Sequence, residues 1–178
     1  FDIGYNAKKN LAASYSMSTN DVEKELSRSE VIVRSTYYTQ AQAHVMMEPH
    51  ACATYFDYQG RLTVLSTTQT PFHVRRILSR VLEYPMHKIR VIKPRIGGGF
   101  GGKQAIHGEV YCAAVTIKTG LPAKMVYTRR EVFQATYTRH PMRIDVTIGA
   151  GKNGMINAID FKILSDTGAY GEHALTVL

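Results

Sequence analysis

The sequence has no tryptophan, only two cysteines, and no apolar stretch that approaches the length of a membrane-spanning helix. Such a helix needs about 20 consecutive apolar residues, so we expect no association with a membrane. Cys52 and Cys112 lack the spacing of metal ligands, which indicates free thiols in a reducing compartment, and the cytoplasm is the expected location. With 44% hydrophobic and 20% charged residues, the composition is that of a folded chain.

Positive charge is in excess, because 22 lysines and arginines stand against 14 acidic residues and give a net charge of +8. This balance favours anionic partners such as a phosphorylated cofactor, a nucleic acid or an acidic subunit. The basic residues are scattered along the chain, however, and no aromatic-rich RNA-binding signature accompanies them. We therefore expect no nucleic-acid partner.

The hydrophobic pattern changes repeatedly between the period of strands and that of helices, which predicts an α+β fold of mixed sheets, hairpins and packed helices. Lys152-Asn153-Gly154 is typical of a hairpin turn. Pro71 suits the first position of a helix that should end by Pro85. The other expected helices cover residues 22–26, 105–118 and 129–135, and the expected strands cover residues 31–38, 51–58, 61–67, 89–96, 122–128, 142–149 and 156–164.

The beginning of the chain differs in pattern from the rest. Residues 1–29 are largely polar and aperiodic apart from one short helix, so we interpret them as a linker or arm, and residues 30–178 as one domain. The chain begins with Phe1 and ends within the apolar run 174–178. We therefore expect a piece of a longer polypeptide, truncated at its C-terminal side.

The main candidate for a binding site is a glycine-rich stretch at residues 97–104, with the sequence GGGFGGKQ. A β-branched segment precedes it and a helical pattern follows it. Strand, glycine loop and helix together bring backbone N–H groups close to an anionic ligand. The residues alone leave three interpretations open: a nucleotide P-loop, a dinucleotide-binding loop, and a loop that packs against another large anionic cofactor.

The first two interpretations each lack a part of their motif. A P-loop needs serine or threonine after its lysine to hold Mg²⁺, whereas Gln104 follows Lys103 in this chain. The dinucleotide spacing is met by Gly97, Gly99 and Gly102, but no acidic residue ends a strand about 20 residues later.

Several motifs, taken together, resemble the molybdenum hydroxylases of the xanthine dehydrogenase and aldehyde oxidoreductase family. The similarity is to the first molybdopterin-binding part of their large subunit, and it spans roughly residues 30–178 in the family's order. The motifs are QAHVMMEPH at residues 42–50, STTQTP at 66–71, GGGFGGK at 97–103, RHP at 139–141 and DTGAYG at 166–171.

The resemblance implies a role for five residues. Gln69 is the expected donor of a hydrogen bond to the apical oxygen of the molybdenum centre, where a neutral amide suits the task. Gly99, Phe100 and Gly101 are expected to lie against the cofactor, with the Phe100 ring as part of the wall of the site. Gln104 is the expected substrate contact, at a position where xanthine-type members often carry glutamate. The cofactor's sulfurs hold the metal, so no protein metal ligand is expected.

The implied reaction hydroxylates a substrate with oxygen from water, and the expected substrate is a xanthine- or hypoxanthine-like heterocycle or an aldehyde. The resemblance implies a molybdenum–molybdopterin cofactor, in simple or dinucleotide form, and iron–sulfur clusters and FAD on other domains or subunits of an oligomeric enzyme. The general-base glutamate of the family lies beyond residue 178, so no catalytic residue is expected here, and the isolated chain should be inactive. The alternatives are a non-catalytic anion-binding or assembly module and a P-loop-like nucleotide-binding protein.

Overall fold

The computed structural model describes residues 3–171 and residue 173, and it confirms the predicted α+β class. The chain forms two compact units, Ala43–Arg139 and a second one made of residues 3–42, 140–171 and 173. We call them the glycine-loop unit and the three-stranded unit. The described elements are α1 (Val22–Ser27), β1 (Val31–Thr39), β2 (Ala51–Phe56), β3 (Leu62–Ser66), α2 (Pro71–Val81), β4 (Ile89–Ile92), α3 (Glu109–Thr119), β5 (Ala123–Val126), α4 (Arg129–Ala135), β6 (Met142–Ala150) and β7 (Ile156–Ser165).

The glycine-loop unit is built on a four-stranded sheet with the order β4-β3-β2-β5. β2 and β3 form an antiparallel hairpin, and β5 pairs with the other edge of β2. β3 and β4 are parallel, and the chain passes from one to the other through α2. The predicted domain boundary between residues 29 and 30 lies inside the other unit, and that division remains a prediction.

The core of the glycine-loop unit lies between this sheet and its helices. Val74 and Leu78 are four residues apart in α2, so they share one helix face, and both are fully buried. They pack with buried side chains of the sheet and of α3, namely Leu62, Val64, Ile89 and Ala113. Burial of each large aliphatic side chain contributes about 1.5–3 kcal/mol to the stability of this core.

The three-stranded unit is an antiparallel sheet with the order β1-β6-β7, and the β6–β7 hairpin was predicted from its turn sequence. Polar and apolar residues alternate regularly along its strands, so they lie on opposite faces of the sheet. The polar face carries Thr36, whose hydroxyl donates to Asp145 at 2.6 Å. The opposite, apolar sheet face exposes large side chains at Val31, Val33, Tyr37, Ile159, Phe161 and Ile163.

Two of the predicted elements each have one boundary that was wrong. The strand expected over residues 89–96 ends at Ile92, two residues before Pro94, which has no N–H for a strand ladder. The helix expected over residues 105–118 begins only at Glu109, after Gly108. Among the described residues, no helix has the length and apolarity that crossing a membrane requires.

Candidate functional site

The glycine loop, residues 97–103, connects β4 to the segment before α3. Its backbone is left-handed at Gly98 (φ 93°), at Phe100 (φ 52°) and at Gly101 (φ 90°). Glycine adopts this conformation freely, but a bulky aromatic residue does so only when the surroundings impose it. The Phe100 side chain is nevertheless 65% exposed. A strained and exposed aromatic residue is typical of a functional position rather than of packing.

Gln69, which lies between β3 and α2, holds the glycine loop by hydrogen bonds to the loop backbone. Its side-chain oxygen accepts hydrogen bonds from the backbone N–H of Gly101 at 3.1 Å and of Lys103 at 3.2 Å. Its own backbone N–H donates to the Lys103 carbonyl at 2.8 Å. Only the oxygen of an amide group can accept hydrogen bonds from two N–H donors. The two contacts therefore determine the orientation of the Gln69 amide group. Within the described part of the chain the Gln69 Nε2 group has no partner, and it is free to donate to a ligand.

Gly99 is the residue over which the Gln69 side chain passes. A Cβ atom at this position would lie 2.5 Å from Gln69 Oε1 and 2.6 Å from Gln69 Cδ. Real side chains do not approach so closely, so only glycine allows Gln69 to occupy its place. The identity of Gly99 is therefore explained by the side chain of Gln69.

The upper part of the loop presents a row of backbone donors. The N–H groups of Gly98, Gly99 and Phe100 have no hydrogen-bond acceptor among residues 3–171 and 173, whereas those of Gly97, Gly101 and Gly102 are paired within the unit. Successive N–H groups in a loop with left-handed residues form a concavity that binds anions and other acceptor-rich groups.

Lys103 points away from this concavity and into the protein. Its side chain is 1% exposed, and its ammonium group lies 2.7 Å from Glu48 Oε2. The same oxygen accepts the Gly97 N–H at 2.9 Å. Partial desolvation would raise the pKa of Glu48, but the hydrogen bonds from Lys103 and Gly97 and the Lys103 charge together lower it. A P-loop lysine must reach a phosphate, and Lys103 is not available for that role.

The far end of the loop is fixed by two threonines that flank Gln69. The Thr68 hydroxyl donates to the Lys103 carbonyl at 3.2 Å, and the Thr70 hydroxyl donates to the Gln104 carbonyl at 2.7 Å. Thr70 is also the residue before α2, yet its side chain makes no capping bond to that helix. A threonine at this position usually stabilises the helix start; here its hydroxyl holds the loop instead.

Tyr137 was not identified from the sequence, although it contacts the loop directly. Its hydroxyl donates to the Gly101 carbonyl at 2.9 Å and accepts from the N–H groups of Gln104 at 3.2 Å and Ala105 at 3.1 Å. These contacts explain why α3 begins late, since the chain at residues 104–105 follows Tyr137 rather than a helix. An isolated tyrosine after a short helix gives no sequence signal for such a contact.

Two histidines lie beside the loop, and not all of their ring nitrogens make hydrogen bonds within the described residues. His50, which is 7% exposed, lies with Nε2 2.8 Å from the Gly102 carbonyl, so this nitrogen carries the proton. Its ring meets that of His107 edge-on, with 4.5 Å between the centroids. His50 Nδ1 and His107 Nε2 are buried and have no partner among the described residues. Burial lowers the pKa of both imidazoles, and it lowers that of His107 to about 4.

The stability of the unit should consequently fall in mildly acidic solution. In the unfolded chain His107 takes up a proton near pH 6.5, whereas the folded chain resists protonation until about pH 4. The unfolded state therefore binds more protons in this window, and the free energy of unfolding should decrease by up to about 3 kcal/mol as the pH falls through it. Urea unfolding of the chain at several pH values checks this.

The substitution His107→Gln should flatten this pH dependence, while the same change at the exposed His87 should leave it intact. An equal slope in wild type and His107→Gln would show that another group is responsible.

The structure brings the five predicted site residues together. Gln69 contacts Gly101 by a hydrogen bond and Gly99 by packing, and Phe100 lies between those glycines. Gln104 joins them because its N–H lies 3.3 Å from the Gly101 carbonyl. Their binding roles remain predictions. No cluster of three or more histidine, cysteine or acidic side chains able to hold a metal occurs in the described ranges.

The donors at this site suit an acceptor-rich cofactor such as molybdopterin. Within the described residues, three backbone N–H groups of the loop and the Gln69 amide donor have no partner, and the Glu48 carboxylate beside the loop is already bound to Lys103. Fold and site thus define a domain whose glycine loop carries neutral hydrogen-bond donors.

Comparison with known proteins gives the family. The family model of the molybdopterin cofactor-binding domain matches residues 4–178. The chain is 40% identical over 177 residues to a protein of Escherichia coli O157:H7 named "Probable hypoxanthine oxidase", with 99% of this chain and 18% of that protein covered. It is 36% identical over 158 residues to the "Nicotinate dehydrogenase large molybdopterin subunit" of Eubacterium barkeri, with 89% and 37% covered.

Solved structures agree on the fold. The aldehyde oxidoreductase of Desulfovibrio gigas superposes with a TM-score of 0.77 at 23% identity, covering 86% of this chain and 17% of that one. The CO dehydrogenase of Oligotropha carboxidovorans superposes with a TM-score of 0.69 at 30% identity, covering 82% and 18%. This chain belongs to the molybdopterin cofactor-binding domain family. It spans about a fifth of the length of the hypoxanthine oxidase relative.

Proposed function

We propose that this chain forms part of the large, molybdopterin-binding subunit of a molybdenum hydroxylase, an oxidoreductase. When bound, the cofactor supplies the two-electron chemistry R–H + H₂O → R–OH + 2e⁻ + 2H⁺, in which the oxygen comes from water. The observation that carries this proposal is the orientation of Gln69, whose oxygen is held by the loop. Its Nε2 donor and three neighbouring N–H groups thereby have no partner among the described residues.

The chain's own residues bind and orient the cofactor in this proposal. Gln69 Nε2 and the N–H groups of Gly99 and its two neighbours donate hydrogen bonds to it, and neutral donors stabilise an acceptor-rich group without changing their own protonation. Gly101 provides close backbone approach, and the exposed Phe100 ring forms part of the wall that excludes water. These groups are preorganised because Lys103, Thr68 and Tyr137 fix the loop.

The proposed substrate is a heterocycle of the xanthine or hypoxanthine kind, with an aldehyde as the second candidate. Gln104 is partly exposed, and its backbone N–H and carbonyl are both hydrogen-bonded. Its side-chain amide has no partner within the described chain. An amide both donates and accepts, which suits the edge of a nitrogen heterocycle. A panel of purines, nicotinate-like rings and aldehydes should rank the heterocycles above the aldehydes by kcat/KM.

Further polypeptide is needed for the reaction in this proposal. We place the general-base glutamate beyond residue 178, and iron–sulfur and flavin groups on other domains or subunits of an oligomeric, cytoplasmic enzyme. Residues 30–178 would then be the first part of the cofactor domain, and residues 1–29 its arm. The apolar sheet face supports this, because exposed apolar surface such as that of Val33 (57% exposed), Phe161 (58%) and Ile163 (49%) is typical of a face that contacts further polypeptide.

The gene offers a direct check of this arrangement. The reading frame should continue past Leu178 with another glycine-rich segment and a late glutamate. A stop codon directly after Leu178 would instead favour a non-catalytic binding or assembly module.

An isotope experiment tests the proposed reaction. The complete enzyme should turn over its substrate in water that carries a heavy oxygen isotope, and the label should appear in the hydroxylated product. Labelled dioxygen, supplied in ordinary water, should leave the product unlabelled. Label that enters from dioxygen would contradict the proposal.

A further inference from the structure

The Tyr137 hydroxyl joins two parts of the site that have different proposed roles. It donates to the carbonyl of Gly101, on the cofactor side, at 2.9 Å. It accepts from the N–H of Gln104, on the substrate side, at 3.2 Å, and from that of Ala105 at 3.1 Å. One donated and two accepted hydrogen bonds use the full capacity of a phenol.

The Tyr137 ring is held in place from more than one side. The His107 ring stacks against it with 5.6 Å between centroids, and the His44 ring meets its edge at 5.9 Å. The backbone that leads to it is fixed as well, because α4 starts with a capping box at Thr128 and because Arg129 donates to the Met46 and Met47 carbonyls. A hydroxyl on so constrained a ring has little freedom to follow a moving loop.

We infer that Tyr137 is a positioning residue that fixes the Gln104 side chain relative to the cofactor-facing backbone at Gly101. This inference rests on the proposed function. Without the hydroxyl, the Ala105 N–H has no acceptor among the described residues, and the Gln104 N–H keeps only the Gly101 carbonyl at 3.3 Å. The Thr70 hydroxyl would still hold the Gln104 carbonyl at 2.7 Å, so the segment 104–105 would pivot about this contact while Gln69 continues to hold Gly101 and Lys103.

The substitution Tyr137→Phe removes the hydroxyl and keeps the ring, so both histidine contacts persist. In the complete enzyme we expect KM to rise about tenfold, kcat to change less than about threefold, and the molybdenum and pterin content to stay at the wild-type level. Amide hydrogen exchange at Gln104 and Ala105 should accelerate by about a hundredfold, a readout that does not depend on turnover. Tyr127→Phe is the matched control, because no hydrogen bond of the Tyr127 hydroxyl is seen in the described chain.

A double-mutant cycle separates positioning from general destabilisation. If Tyr137 acts through Gln104, Tyr137→Phe should add nothing to the KM of Gln104→Ala. Additive effects, or unchanged exchange and KM in an active Tyr137→Phe enzyme, would overturn the inference. A wild-type enzyme that contains no molybdenum would instead contradict the proposed function, while the exchange measurement would still test whether Tyr137 holds the loop.

Discussion

Replacement of Gln69 by glutamate should abolish most of the turnover of the complete enzyme while leaving the glycine loop in place. A carboxylate oxygen can still accept the N–H groups of Gly101 and Lys103, which lie 3.1 and 3.2 Å from Gln69 Oε1. The variant loses the Nε2 donor that we assign to the cofactor and places a negatively charged oxygen in its position. Loss of one preorganised donor costs about a hundredfold or more in kcat, so we expect a fall of that size, measured by steady-state kinetics at matched molybdenum content.

The alanine variant provides the control, because it removes both functions of the side chain. Gln69→Ala should lose turnover and also lower the free energy of unfolding by about 1–3 kcal/mol, since two loop N–H groups lose their acceptor. Gln69→Glu should unfold close to wild type. If Gln69→Glu retains full turnover, the free amide donor has no part in the reaction.

The substitution Lys103→Met should be the most destabilising single change at the site. Methionine keeps the length of the buried side chain but removes the cation, so Glu48 retains only the Gly97 N–H as a donor. Breaking a buried ion pair costs about 3–5 kcal/mol, and we expect about 3 kcal/mol in urea unfolding of the chain because the Glu48 side chain is 34% exposed and can be partly hydrated.

A solvent-exposed ion pair of the same type gives the comparison. Lys152 and Glu30 lie 3.9 Å apart with side chains 83% and 52% exposed, and Lys152→Met should cost less than about 1 kcal/mol. Adding Glu48→Gln to Lys103→Met should recover part of the loss, because it removes the unpaired charge. Equal effects of the two lysine substitutions would show that the buried pair does not hold the loop.

Local sequence patterns predicted most of the fold because local forces determine those elements. Pro71, Val74 and Leu78 define α2 by first-turn chemistry and by helical spacing. The helix α4 was predicted over Arg129–Ala135, and the structure adds Thr128 as its cap. The strand at β4 and the helix at α3 were misjudged at one end each. Pro94 ends β4 earlier than the β-branched pattern predicts. The Tyr137 hydroxyl, a tertiary contact, delays the start of α3.

The glycine loop was predictable as a binding site from its own residues, whereas Gln69 was recognised only by the family resemblance. The geometry supplies the physical reason that the motif lacks, namely that Gly99 makes room for Gln69. The role of Lys103 could not be predicted from the spacing of the glycine motif. That spacing made Lys103 resemble a phosphate-binding lysine. Its burial against Glu48 depends on a contact between residues far apart in sequence.

The most direct test of the central claim is the metal and pterin content of the complete wild-type protein. Purified protein should contain about one molybdenum atom and about one pterin per polypeptide, measured by elemental analysis and by the fluorescence of the oxidised pterin. It should show no tight binding of Mg-ATP. Protein that lacks both molybdenum and pterin after expression in a host that makes the cofactor, and that binds Mg-ATP stoichiometrically, would contradict the account.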